Sequence, residues 1–149
     1  MTPARALPLA LLLLAGCATE PEPIRPPAEA AKHLADVDWS QAERVEVTLT
    51  DFAFAPDRLV FERGQPYRLH LENRGSGGHN FAAPAFFQAV ALRADAVANA
   101  AGARGGEIEL AAGEAKDAYL VPLQAGRFPL ECTHFLHPIF GMTGEIVVR

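Results

Sequence analysis

Residues 131–144 read ECTHFLHPIFGMTG and place one thiol, two imidazoles and one thioether in a single short loop, at Cys132, His134, His137 and Met142. Thiolate with imidazole suits copper or zinc, and a weak thioether beside them is the donor set of an electron-transfer copper site rather than of a structural zinc. The loop therefore reads as three of four ligands to one copper ion, with two histidines competing for one position. Zinc is the alternative metal, because a cysteine and two histidines bind it well, and only Met142 argues against it.

A loop of this kind needs strands to hold it. From Arg44 the apolar residues Val45, Val47 and Leu49 alternate with Arg44, Glu46 and Thr48, the period-two pattern of a half-buried strand. Phe52 to Phe61 contains a Pro56-Asp57 turn and a strand-like Leu59-Val60-Phe61, and Glu62 to Pro66 is a further turn. Tyr67, Leu69 and Leu71 then alternate with Arg68, His70 and Glu72, which puts His70 on the solvated face and makes it a surface histidine rather than a ligand. The run NRGSGG at residues 73–78 is a glycine-rich loop that delivers His79-Asn80-Phe81. It lacks the lysine of a phosphate-binding loop and opens no evident helix, so phosphate binding is not expected.

Over residues 85–101 the apolar positions fall at three- and four-residue intervals among alanines, which predicts a helix lying across the sheet and ending at Gly102. Strands resume at Ile108 and Leu110, at Ala118 to Val121, at Phe128 to Cys132 and at Ile146 to Val148. Short strands with Gly and Pro turns predict an all-β fold, a sandwich or Greek-key barrel with one helical insertion.

The 149 residues are 50% apolar, enough for one domain with a core, placed here at residues 43–149. A formal charge of −5 with no run of Lys and Arg excludes the electrostatic footprint of a nucleic-acid binder. Residues 1–16 carry Arg5 and then the apolar run Ala6 to Ala15, too short to span a bilayer and matching a signal-peptide core. The run ends in Leu14-Ala15-Gly16-Cys17, which resembles the lipobox of bacterial lipoproteins. That resemblance implies cleavage before Cys17 and acylation there, with more than one acyl chain giving a stable anchor. Ala18 in the next position favours the outer over the inner membrane. Residues 17–42, with Pro21, Pro23, Pro26 and Pro27 among Ala and Glu, form a tether in which a short helix at 28–34, a solvated His33 and a Trp39 packed on the domain edge are expected. With Cys17 acylated and Cys132 on a metal, the two cysteines form no disulfide.

The domain resembles a cupredoxin, a small copper protein of the plastocyanin, azurin and rusticyanin group. The matching residues are Phe52-x-Phe54-x-Pro56 with Gly64, His79-Asn80-Phe81, and Cys132-x4-His137-x4-Met142-x-Gly144 before the last strand. The resemblance implies a cupredoxin-like Greek-key β-sandwich holding one type 1 copper ion through His79, Cys132, His137 and the distant axial Met142. It further implies that Asn80 ties the His79 loop to the Cys132 loop and that Thr133 follows the thiolate where a backbone amide can bond sulfur. The plastocyanin-like interval falls on Phe135 and the longer rusticyanin-like one on His137, which leaves His134 as a bystander or a neighbour of the ligands, or as an extra ligand of a red-type centre. An apolar collar of Phe81, Phe135, Pro138, Ile139 and Phe140 is expected where partners dock.

The resulting expectation is a monomeric, lipid-anchored, periplasm-facing carrier of single electrons between redox protein partners. No catalytic triad, paired-carboxylate or open-metal-site pattern is visible, so it is not read as an enzyme. Sequestration or delivery of copper in metal tolerance is the alternative from another class, with the same ligands.

Overall fold

The computed structural model describes Lys32 and residues 34–93 and 105–149. The signal segment, Cys17, most of the tether, His33 and the later part of the expected helix lie outside the described residues. Among the described residues no helix is long and apolar enough to cross a membrane.

Among the described residues, ten strands form two five-stranded sheets. The first sheet has the order β2 (Ala53–Ala55), β1 (Glu43–Thr50), β4 (Tyr67–Asn73), β8 (Ala115–Pro122), β6 (Val90–Leu92). The second has the order β3 (Arg58–Phe61), β10 (Thr143–Val148), β9 (Gly126–Glu131), β5 (His79–Ala82), β7 (Glu107–Leu110). Neighbours run antiparallel except β1 with β4 and β10 with β3, which are parallel. This is the expected Greek-key sandwich, with β2 and β3, consecutive in the chain, lying in opposite sheets.

The alternations seen in the sequence become the two faces of strands. Val47, Leu49, Leu69, Leu71, Ala118 and Leu120 point into the core from the first sheet, at 1% exposure or less. Phe61 stacks on Phe86 at 5.4 Å and takes the edge of Tyr67 at 4.8 Å, while Phe54 and Phe87 pack edge-on against Phe81. Each such ring, once buried, contributes about 1.5–3 kcal/mol from area alone. Asp117 of β8 binds Arg68 through both carboxylate oxygens and also accepts from His70 Nδ1–H at 2.8 Å. His70 is thus a half-buried histidine of the first sheet with its own partner.

The helix is shorter than its periodicity suggested. It is α1, Pro84–Gln88, with proline in its first turn and Phe86 and Phe87 buried. Val90, Ala91 and Leu92 then pair with Pro122, Val121 and Leu120 of β8 respectively, so they continue as strand. The open edge of β8 offers these residues a full ladder, and that tertiary pairing overrides the helical preference of alanine. Ahead of the domain, Trp39–Gln41 form a single 3-10 turn capped by Asp38. Trp39 meets Tyr119 edge-on at 5.8 Å, as a residue packed on the domain edge should.

Candidate metal centre

Two strand ends and one loop build the site. His79 opens β5 and is 1% exposed, while Cys132 follows the last residue of β9 and is fully buried. Strands β9 and β10 pair with Glu131 opposite Thr143, so the loop between them is closed at its base. Cys132 N–H donates to Met142 O at 3.1 Å, Met142 N–H to His137 O at 3.0 Å and His137 N–H to His134 O at 3.1 Å. The eleven residues from Cys132 to Met142 are thereby folded back on themselves, with the Met142 backbone bonded to that of Cys132 and the Met142 side chain fully buried. Sequence intervals of five residues become spatial neighbours because the ladder fixes both ends.

His79, Cys132 and His137 bring their donor atoms together. The two Nδ1 atoms are 3.2 Å apart, and Cys132 Sγ lies 3.4 Å from His137 Nδ1 and 4.0 Å from His79 Nδ1. A triangle with sides of 3.2, 3.4 and 4.0 Å has its centre about 2.1 Å from every corner, close to ordinary metal–imidazole and metal–thiolate bond lengths of ~2.0–2.3 Å. One ion fits between these three atoms without moving them. Burial, and next the charges of the His79 and His134 rings, push His137 below the ordinary histidine range, which favours the neutral, ligating form.

Strand β5 pairs with β9 at one position only, Ala82 opposite Glu131, and beyond it Asn80 takes over the role of the ladder. Its Oδ1 accepts Thr133 N–H at 2.8 Å, its Nδ2 donates to Thr133 Oγ1 at 2.6 Å and to Glu107 Oε2 at 3.1 Å, and its own N–H donates to Cys132 Sγ at 3.5 Å. Asn80 joins the two halves of the site, and the amide at the sulfur is that of Asn80. The N–H of Thr133 is taken by Asn80 Oδ1 instead. Such contacts orient a thiolate and tune its basicity.

His134 stands apart from the three donors. Its Nε2 lies 2.9 and 3.0 Å from the two oxygens of Glu109, with its ring centre 5.4 Å from that of His137 and 6.4 Å from that of His79. Strand β9 ends at Glu131, so residues 132 and 134 do not share a strand face and the His134 side chain turns outward to β7.

The collar needs one correction. Phe81 is fully buried against Phe54 and Phe87, because it lies two residues after His79 on the inward face of β5. Phe135, Ile139 and Phe140 are exposed at 88, 78 and 61%, Leu136 at 39%, and Pro138 is half-buried. Phe52 joins them from the β1–β2 turn, 42% exposed, with its ring 5.2 Å from both His137 and Phe140.

Sequence reasoning missed Asp51 beside it. Asp51 Oδ1 lies 3.2 Å from His79 Nε2, while the backbone N–H and hydroxyl of Ser76 each donate to the same carboxylate at 2.9 Å. Those Ser76 bonds come first in holding the Asp51 carboxyl below the usual carboxylate range. The glycine-rich loop closes over this pair. A Cβ on Gly75 would stand 2.5 Å from His79 Nε2 and 2.8 Å from Asp51 Oδ1, so only glycine lets the loop lie there. Asn73, fully buried, pins the loop by donating to Gly77 O, Leu110 O and Ala111 O. The one available signal was a carboxylate adjoining Phe52 of the Phe-x-Phe-x-Pro run.

The profile of the cupredoxin-like domain family matches residues 9–148. Among solved structures, the chain is similar to a dithionite-reduced auracyanin from Roseiflexus castenholzii, with 18% identity, a TM-score of 0.53 and coverage of 72% of this chain and 98% of that one. It is also similar to auracyanin B, at 23% identity and TM-score 0.52, over 76% and 93% of the two chains. A third is auracyanin A, a "blue" copper protein of Chloroflexus aurantiacus, at 20% identity and TM-score 0.50, over 71% and 98%. At these identities the structures establish a shared fold. No curated protein matches the sequence.

Proposed function

The chain belongs to the cupredoxin-like domain family, and from that premise we propose that it is a type 1 copper protein that carries single electrons between periplasmic redox partners. The observation that carries this reading is the triangle of His79 Nδ1, Cys132 Sγ and His137 Nδ1, whose centre is one bond length from all three atoms. Met142, buried in the same loop, would add a weak thioether donor to these three. Copper, when bound there, supplies a one-electron couple with little change of ligand geometry, because a trigonal S,N,N set with a long thioether is a compromise between its two oxidation states.

The protein's own groups do the rest. His79 is held from behind by Asp51, and Cys132 accepts the Asn80 N–H. The buried positions of His79, Cys132 and Met142 keep water out. Every strong position is filled by a side chain, leaving none for a substrate, so the domain carries charge and does no bond chemistry. Phe135, Ile139, Phe140 and Phe52 form an exposed apolar surface around His137, and a patch of this kind suits short-lived partners that must approach the imidazole closely. The lipobox-like Leu14-Ala15-Gly16-Cys17 supports acylation at Cys17, and Ala18 after it supports attachment to the outer membrane, with residues 17–42 as the tether.

Copper-loaded soluble domain lacking residues 1–20 tests the reading. An intense thiolate-to-copper visible band and reversible one-electron voltammetry are expected. Rapid loss of copper to a modest chelator would favour delivery or sequestration instead, and a colourless protein that holds only zinc would refute electron carriage.

A further inference from the structure

The β1–β2 turn has two residues, and each touches a different histidine of the site. Thr50 pairs with Ala53, leaving Asp51 and Phe52 at the tip. Phe52 has φ of +67°, a left-handed conformation in which a bulky aromatic side chain is strained and for which turns ordinarily use glycine or asparagine. Strain of this sort persists only where surrounding contacts over-determine it. Here the Phe52 ring sits between His137 and Phe140, and the same backbone turn carries the Asp51 carboxylate to His79 Nε2. Ser76 then fixes that carboxylate from the glycine-rich loop through two bonds, one from its amide and one from its hydroxyl.

We propose that Asp51 is a positioning residue that locks His79 in its Nε2–H tautomer, leaves Nδ1 as the metal donor, and lowers the reduction potential of the bound ion through its fixed negative charge. The chemistry is direct. An ionised carboxylate can only accept, so the proton between it and the imidazole belongs to Nε2, and the lone pair is left on Nδ1, the atom that faces Cys132 and His137. A carboxylate behind a ligating histidine raises the basicity of the donor nitrogen and orients the ring. Its charge, one imidazole away from the ion, stabilises the more positive oxidation state. Packing restricts the ring as well: His79 is 1% exposed, and Gly75 lies so close to Nε2 that a Cβ there would stand 2.5 Å from it.

This inference rests on the proposed copper function only for the potential, and the test separates the two. In metal-free protein, nitrogen-15 correlation spectra of the His79 ring, taken about two pH units above the ordinary histidine pKa of ~6.5, should show the Nε2–H tautomer in the parent and in D51N, whose amide oxygen still accepts. The spectra of D51A should show a mixture of tautomers. In copper-loaded protein, D51N should move the potential upward with the visible band retained, and D51A should lose about 10- to 100-fold in copper affinity. Ser76→Ala, which removes the hydroxyl bond alone, should shift the potential in the same direction by less than D51N. An unchanged tautomer in D51A, or an unchanged potential in D51N, overturns the proposal. Should the parent bind no copper, the electron-carrier reading falls while the tautomer result still decides the role of Asp51.

Discussion

Replacing Asn80 with alanine removes the side chain that bridges β5 to the cysteine loop, and the structure gives the size of the loss. Three hydrogen bonds disappear: Thr133 N–H to Oδ1 at 2.8 Å, Nδ2 to Thr133 Oγ1 at 2.6 Å and Nδ2 to Glu107 Oε2 at 3.1 Å. Each is worth about 0.5–1.5 kcal/mol net, more where the acceptor is charged. Thr133 and Glu107 are exposed enough for water to replace part of what they lose, which holds the total to about 2–3 kcal/mol. For a domain of this size that corresponds to a melting temperature lower by roughly 8–12 °C, at ~4 °C per kcal/mol. Asn80 N–H also donates to Cys132 Sγ, so relaxation of β5 should shift the thiolate-to-copper band in the loaded protein. Calorimetry of the metal-free domain and visible spectra of the loaded one measure the two effects separately. Asn80→Asp divides the cost further, because it keeps the acceptor for Thr133 N–H but sets a second carboxylate against Glu107. A melting temperature within about 2 °C of the parent in Asn80→Ala, equal to less than ~0.5 kcal/mol, would refute the claim that this side chain replaces the missing ladder.

Two further outcomes follow from the surroundings of the site. Replacing His134 with alanine should leave the visible spectrum nearly unchanged, since its Nε2 is engaged by Glu109; a large change would make it a ligand. In the first sheet, hydrogen bonding by Arg68, the largest cause, holds the Asp117 carboxyl below its usual range. A depressed carboxyl stabilises the fold above its unfolded pKa of ~3.9 and loses that contribution as pH falls through the folded value. Asp117→Asn should therefore cost about 1 kcal/mol near neutrality, the upper end for a partly exposed pair with good geometry, and the difference from the parent should vanish in acid, as urea melts at a series of pH values would show.

Much of the protein is legible in the one-dimensional chain because strand alternation and ligand chemistry are local properties. Val45, Val47 and Leu49, then Tyr67, Leu69 and Leu71, announce two strands by period alone, and the Cys132, His137 and Met142 intervals announce a metal loop by donor type. What the sequence could not settle is which groups become neighbours across the sandwich. The helix expected through residue 101 gives way to strand at Val90 because β8 has an edge to fill, which is a fact about β8 rather than about Val90. Phe81, read as part of the collar, belongs to the core because β5 points His79 and Phe81 to the same side. His134 looked equal to His137 in composition, and the end of β9 together with Glu109 is what parts them. Asp51 carries no metal-ligand signature at all, and it reaches His79 only because a two-residue turn and a glycine-rich loop converge there. Periodicity and donor chemistry specify the strands and the ligands; long-range strand pairing chooses the partners that orient them.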